Sequence, residues 1–232
     1  MYRRLDPVRI LETTQRLADR VTERFPESGL AGVAGELVSV ANRAGEDHDW
    51  FDRPSWPLRA AVIIGVALLV LVAIGTMVVL VRLPAQAGLT DVIQAIDAGV
   101  NDLVFLGVAI YFLMTIETRR KRRRALRALH GLRSMAHIID MHQLTKDPER
   151  ATRPDAVDTA SSPKHALTVF ELSRYLDYCS EMLSILSKSA ALYVQNFDDP
   201  VTLGAVNEIE DLTNGLSRKI WQKIMILDHV AG

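Results

Sequence analysis

The sequence predicts an all-α protein, a two-pass transmembrane helical hairpin joined to a cytoplasmic helical bundle. Three observations carry that prediction. The apolar residues, 49% of the 232-residue chain, are clumped into two runs, Ala60–Val81 and Leu103–Ile116. Six consecutive cations, Arg119, Arg120, Lys121, Arg122, Arg123 and Arg124, follow directly on the second run. Everything outside the runs shows helical spacing or turn chemistry, with no alternating strand pattern of useful length.

The formal charge of the whole chain is only -1, so the basic run is a local asymmetry. That balance argues against a nucleic-acid binder, which needs a broadly basic face, and no aromatic stacking platform accompanies the cations. Cys179 is the single cysteine, so a disulfide within one chain and a CxxC motif are both excluded. The first twenty residues alternate charge with hydrophobe and lack the apolar core of a secretory signal.

Residues 1–53 are expected to form N-terminal cytoplasmic helices. One carries Leu11, Thr14, Ala18, Val21 and Phe25 on a single side, and a second, after the PESG break, carries Leu30, Val33, Leu37 and Val40. Trp50, Phe51 and Trp56 then read as an aromatic anchor at the inner membrane interface. The first span is placed at 58–82. Its run from Ala60 to Val81 has no charge, and about 20 helical residues suffice for a hydrocarbon layer of ~30 Å. Residues 83–97 form a short non-cytoplasmic loop without Lys or Arg, and the second span follows at 98–116, its helix starting near Thr90 or Asp91. Arg53 and Arg59 precede the first span and the cationic block follows the second. Cations concentrate on the cytoplasmic side of short loops, so both termini are expected there, in a plasma (inner) membrane. The block itself, Arg119 to Arg124, is expected to contact anionic lipid.

Helical spacing continues through the block, with Leu126, Leu129, Leu132, Ala136 and Ile139 on one side, which predicts a cytoplasmic extension over 117–145. Residues 146–163 hold three prolines and no apolar periodicity and are expected to be a flexible loop. The C-terminal part, 164–232, predicts an antiparallel helix hairpin. Its first helix carries a heptad seam, Val169, Leu172, Leu176, Cys179, Leu183, Leu186, Ala190 and Tyr193. Asp198 or Asp199 caps the second helix ahead of Pro200, and Thr202, Val206, Ile209, Thr213, Leu216, Ile220, Ile224 and Leu227 form the facing stripe.

Two constellations bear on function. In the second span Asp97, Asn101, Val104, Val108, Tyr111 and Thr115 share one narrow helix face. Polar groups at membrane depth face protein or water, so Asp97, Asn101, Tyr111 and Thr115 either pack against Gly65, Leu69, Val72 and Thr76 of the first span or line a cation pathway between copies. In the extension, His130, His137 and Asp140 present imidazoles and a carboxylate that suit a divalent cation. A seven-residue separation, however, spans ~10 Å of helix, too far for both histidines to reach one ion from a straight rod. No GxSxG, Walker or HExxH motif is present. The reading is therefore non-enzymatic, without a cofactor: a self-associating membrane protein whose cytoplasmic bundle is an interaction or signalling module with a cytosolic protein partner. A cation channel and a membrane-anchored metal-dependent hydrolase are the alternatives.

Overall fold

The computed structural model describes residues 4–53, 56–81, 88–148 and 167–231. Among these the chain is entirely helical: α1 (Pro7–Arg24), α2 (Gly29–Asp52), α3 (Trp56–Val81), α4 (Leu89–Leu144), α5 (Val169–Gln195) and α6 (Pro200–Ala231). The expected flexible loop at 146–163 lies, from 149 onward, outside the described residues. So does the outward loop at its first residues, through 87. Two compact units result, Met1–Asp52 with Arg124–Gly232, and Arg53–Arg123. α4 contributes to both.

The first unit is built around α5. Every expected seam residue from Leu172 to Tyr193 is buried, with Val169 half-buried at the end. Tyr175, Tyr178, Met182, Ile185 and Leu192 are buried as well, because α1 and α2 pack on a second side of the helix while α6 covers the seam. All eight residues of the expected α6 stripe, Thr202 to Leu227, are buried. The start of α5 is fixed by a reciprocal capping box: the Glu171 N–H donates to Thr168 Oγ1 at 3.2 Å, and the Thr168 N–H donates to Glu171 Oε2 at 2.9 Å. α6 is capped by Asp199, not Asp198. Its buried carboxylate accepts from the Thr202 N–H at 3.0 Å and the Thr202 hydroxyl at 2.8 Å.

Two expectations in this unit are corrected. The buried side of α1 is Ile10, Thr14, Leu17, Val21 and Phe25, while Leu11 and Ala18 are half-buried. The stripe is rotated because α2 and α5 both press on this helix, and the contact centre falls between them. Phe51 is core and not an interface anchor. It is 3% exposed, stacked on Phe197 at 5.6 Å and edge-on to Tyr193 at 6.0 Å. Trp56, by contrast, is 72% exposed.

The break between α1 and α2 places Glu27 at φ 59, in the left-handed region, and Ser28 Oγ then accepts from the Ala31 N–H at 3.2 Å to start α2. Gly29 matters here for close approach: a Cβ at that position would lie 2.5 Å from Cε1 of the His142 ring, so the glycine admits the end of α4 against the start of α2. Tyr175 and Lys223 hold the same end of α4. The Tyr175 hydroxyl reaches the His142 carbonyl at 3.5 Å, and the Lys223 ammonium donates to the carbonyls of Gln143 and Lys146 at 2.7 and 3.0 Å.

The second unit contains two helices long and apolar enough to cross a membrane. Their spans run over Arg59–Val78, with mean hydropathy 2.9, and from Gly99 onward in α4, with mean hydropathy 1.8. α4 is unbroken from Leu89, just ahead of the expected cap, to Leu144.

Candidate functional site

Within the second unit α3 and α4 meet along one face of each helix. On α3 the half-buried positions include Gly65, Leu69, Ala73 and Thr76, and on α4 Leu106, Ile110, Leu113 and Glu117. A Cβ on Gly65 would sit 3.2 Å from Leu113 Cδ1, so the glycine is what lets the helices close there. Further along, between Leu69 and Thr76 on one side and Gly99 and Leu106 on the other, an apolar groove of about 570 Å³ separates them. Of the α3 face expected from sequence, Gly65, Leu69 and Thr76 are half-buried while Val72 is 46% exposed. The face of α4 is not the one expected.

At ~100° per residue, Leu106, Ile110 and Leu113 lie about half a turn from Val104, Val108 and Tyr111. The expected packing of the polar stripe against the first span is therefore overturned. Asp97 and Asn101 are exposed, as are Val104 at 58%, Val108 at 62% and Tyr111 at 66%. Thr115 is half-buried and its hydroxyl donates to the Phe112 carbonyl at 3.0 Å. Thr76 likewise donates to its own helix, to the Val72 and Ala73 carbonyls, so it forms no bond across the pair. Leucine and isoleucine beat the polar residues for the contact with α3 because an apolar helix offers them dispersion contacts and offers an amide or phenol nothing to bond.

The six cations divide between protein and surroundings. Glu117 draws Arg59 to 3.7 Å and Lys121 to 3.4 Å, which ties the ends of the two apolar segments together and leaves the Lys121 side chain 15% exposed. Arg119 lies over the Phe112 ring at 5.8 Å. Arg124 belongs to the first unit, where its Nε donates to Asp47 Oδ1 at 2.7 Å and its guanidinium covers the Trp50 ring at 4.4 Å. The other Asp47 oxygen accepts from the buried Tyr193 hydroxyl at 2.9 Å. The expectation that the whole block contacts lipid is thus narrowed: Lys121 and Arg124 are turned to Glu117 and Asp47, and Arg119 and Arg120 are exposed. This Arg124, Asp47, Trp50 and Tyr193 node escaped the sequence reading because its members lie far apart in the chain. Periodicity reports which side of a helix is apolar, not which distant charge it meets.

The alternative metal constellation of His130, His137 and Asp140 does not assemble. His130 and His137 are exposed, and Asp140 accepts from Gln143 Nε2 at 2.6 Å. Among the described residues no three His, Cys, Asp or Glu side chains converge on one point. Cys179 is buried in the α5 seam, and burial pushes its thiol up to about 12. Burial also holds the Tyr175 and Tyr193 hydroxyls protonated, in the second case reinforced by the adjacent Asp47 charge. Burial lowers Lys223 from its ordinary value, opposed by Asp147 and Asp140. These groups are structural: each is engaged in packing or in closing a helix end.

A groove of about 360 Å³ runs between α2 and α4 in the first unit. Val40 and Arg43 line one wall, Gly131 and Ile138 the other, and Tyr193 the floor. Gly131, mid-helix in α4, has room for an added Cβ, which would meet nothing within 4 Å.

No protein family, curated protein or solved structure matches the chain. Function is therefore argued from this geometry alone. What the geometry offers is a polar helix face directed away from α3, a partly engaged cationic collar, and a separately cored helical unit sharing one helix with the apolar pair.

Proposed function

We propose that the chain is a non-enzymatic, self-associating two-pass membrane protein, in which α3 and the first half of α4 cross the bilayer as a hairpin and the remaining helices form a cytoplasmic interaction or signalling module. The observation that carries this reading is the contrast between the two units. Ile63 at 68%, Leu71 at 71% and Phe105 at 70% exposure stand bare on helices of high hydropathy, while the other unit buries its own core residues, Leu17, Leu37, Leu176, Leu183 and Ile220, to 1% or less. Bare surfaces of that extent suit hydrocarbon and are unfavourable in water.

Charge supports the orientation. Arg53, Arg59 and the 119–124 block lie at one end of the apolar pair, against a single cation, Arg82, at the other. This end is the cytoplasmic one, in a plasma (inner) membrane, and the exposed Arg119 and Arg120 face its anionic headgroups. The module's partner is a cytosolic protein.

Tags at Met1 and at Gly232, with protease added from either side of sealed membranes, test both claims. We expect the protein to stay with membranes after an alkaline wash, and both tags to be digested only from the cytoplasmic side. A chain released by the wash, or tags reached only from the other side, would end this reading.

A further inference from the structure

We infer that copies of this chain associate through the outward face of α4, along Asn101, Val104, Val108 and Tyr111, with the Asn101 amides hydrogen-bonded to one another across the contact. The inference rests on the two-span reading above and adds the face and the partner. α3 covers the opposite side of α4, through Leu106, Ile110 and Leu113, so this face is left open within the protomer. Glu117, tied to Arg59 and Lys121, marks the inner boundary. A hydrocarbon layer of ~30 Å then ends near Asp97, because a helix rises 1.5 Å per residue. Asn101 therefore lies ~6 Å inside the outer boundary and Tyr111 ~9 Å inside the inner one. Lipid tails offer neither group a hydrogen bond.

A second copy offers both. An amide donates and accepts, and so does a phenol, so a face made of them is complementary to itself about a two-fold axis. All copies insert in the same direction, which sets Asn101 opposite Asn101 and Val108 opposite Val108. Spacing points the same way. Residues 97, 101, 104, 108, 111 and 115 alternate steps of four and three, the seam of a parallel helix pair. Carried forward along α4, that register reaches Ala125, Leu129, Leu132, Ala136 and Ile139, all of them buried by the protomer's own bundle. Asp97 sits at the outer water level, where two carboxylates remain solvated.

Single cysteines introduced into the full-length chain in native membranes test the contact. Cys179 is buried and needs no replacement. Under a mild oxidant, Val104→Cys and Val108→Cys should form disulfide-linked dimers at least ~10-fold more readily than Leu106→Cys and Ile110→Cys, which face α3. Asn101→Leu should weaken association roughly five-fold, and Asn101→Gln should restore most of it. Equal crosslinking at both pairs of positions, or none at Val104→Cys and Val108→Cys in a chain that resists the alkaline wash, would overturn the contact while leaving the two-span reading intact. Rapid labelling of Val108→Cys by a membrane-impermeant thiol reagent would also overturn it, since the face would then line water. A chain that washes out of the membrane would remove both readings together.

Discussion

Single residues decide how the helices begin and which thiols and carboxylates titrate. Asp199 accepts two hydrogen bonds while buried at the start of α6, so Asp199→Ala should cost about 1–2 kcal/mol in denaturant titrations, with Asp199→Asn losing less. Glu27 occupies the left-handed region without being a glycine, and Glu27→Gly should raise stability by up to about 1 kcal/mol. Glu171 shows the pH sign. Hydrogen bonds from Thr168 hold its carboxyl below the ordinary 4.5, so its contribution is complete above that value and is lost as pH falls through the lowered one. Glu171→Gln should therefore lower stability at neutral pH and flatten the acid side of the profile, converging on the wild type at low pH. Cys179 should resist alkylation in the folded chain at mildly alkaline pH and react on unfolding, because it is buried and its thiol titrates at about 12. A mass shift of the folded protein would contradict that. The buried thiol was legible in sequence, since a cysteine in a heptad seam has one favourable placement, whereas the cap was legible only to within two adjacent carboxylates, Asp198 and Asp199. Glu27 was not, because PESG signals a turn without saying which residue takes positive φ.

Helices were legible where one surface decides their environment. α6 presents one apolar stripe, covered by α5 with α4 at its edge, and that stripe was readable residue by residue. α1 touches two helices, so its buried side turned from the one expected, with Leu17 inside and Leu11 at the margin. The polar stripe of α4 was readable as a stripe, but its direction was not, since helical spacing groups Asn101 with Tyr111 without saying whether α3 lies on that side or opposite. Two α4 variants separate helix propensity from continuity. Gly131→Ala adds a methyl that meets nothing and should raise stability by about 1 kcal/mol, read as a higher unfolding midpoint. Leu126→Pro removes a helix hydrogen bond just past the cationic block and should cost about 3 kcal/mol or more. If α4 transmits anything between membrane and bundle, this variant should lose it while remaining in the membrane.

The two units of the whole molecule are interleaved in sequence, since the helical unit comprises Met1–Asp52 and Arg124–Gly232 and the apolar pair is inserted between them. Arg124 pairs with Asp47 and lies over Trp50, so the chain leaves the helical unit and re-enters it at neighbouring points. Joining Asp52 to Arg124 through a Gly/Ser linker of roughly six residues, which spans up to ~20 Å, should then give a water-soluble helical protein. Circular dichroism and size exclusion without detergent would show it, and aggregation despite longer linkers would contradict it. The interleaving also has a consequence for synthesis. α1 and α2 leave the ribosome first and pack on each other, yet the cover that α5 gives Leu17, Val21, Leu37 and Phe51 comes only after roughly a hundred further residues have been made. At typical elongation rates that delay is on the order of ten seconds, during which the N-terminal helix pair stands without that cover.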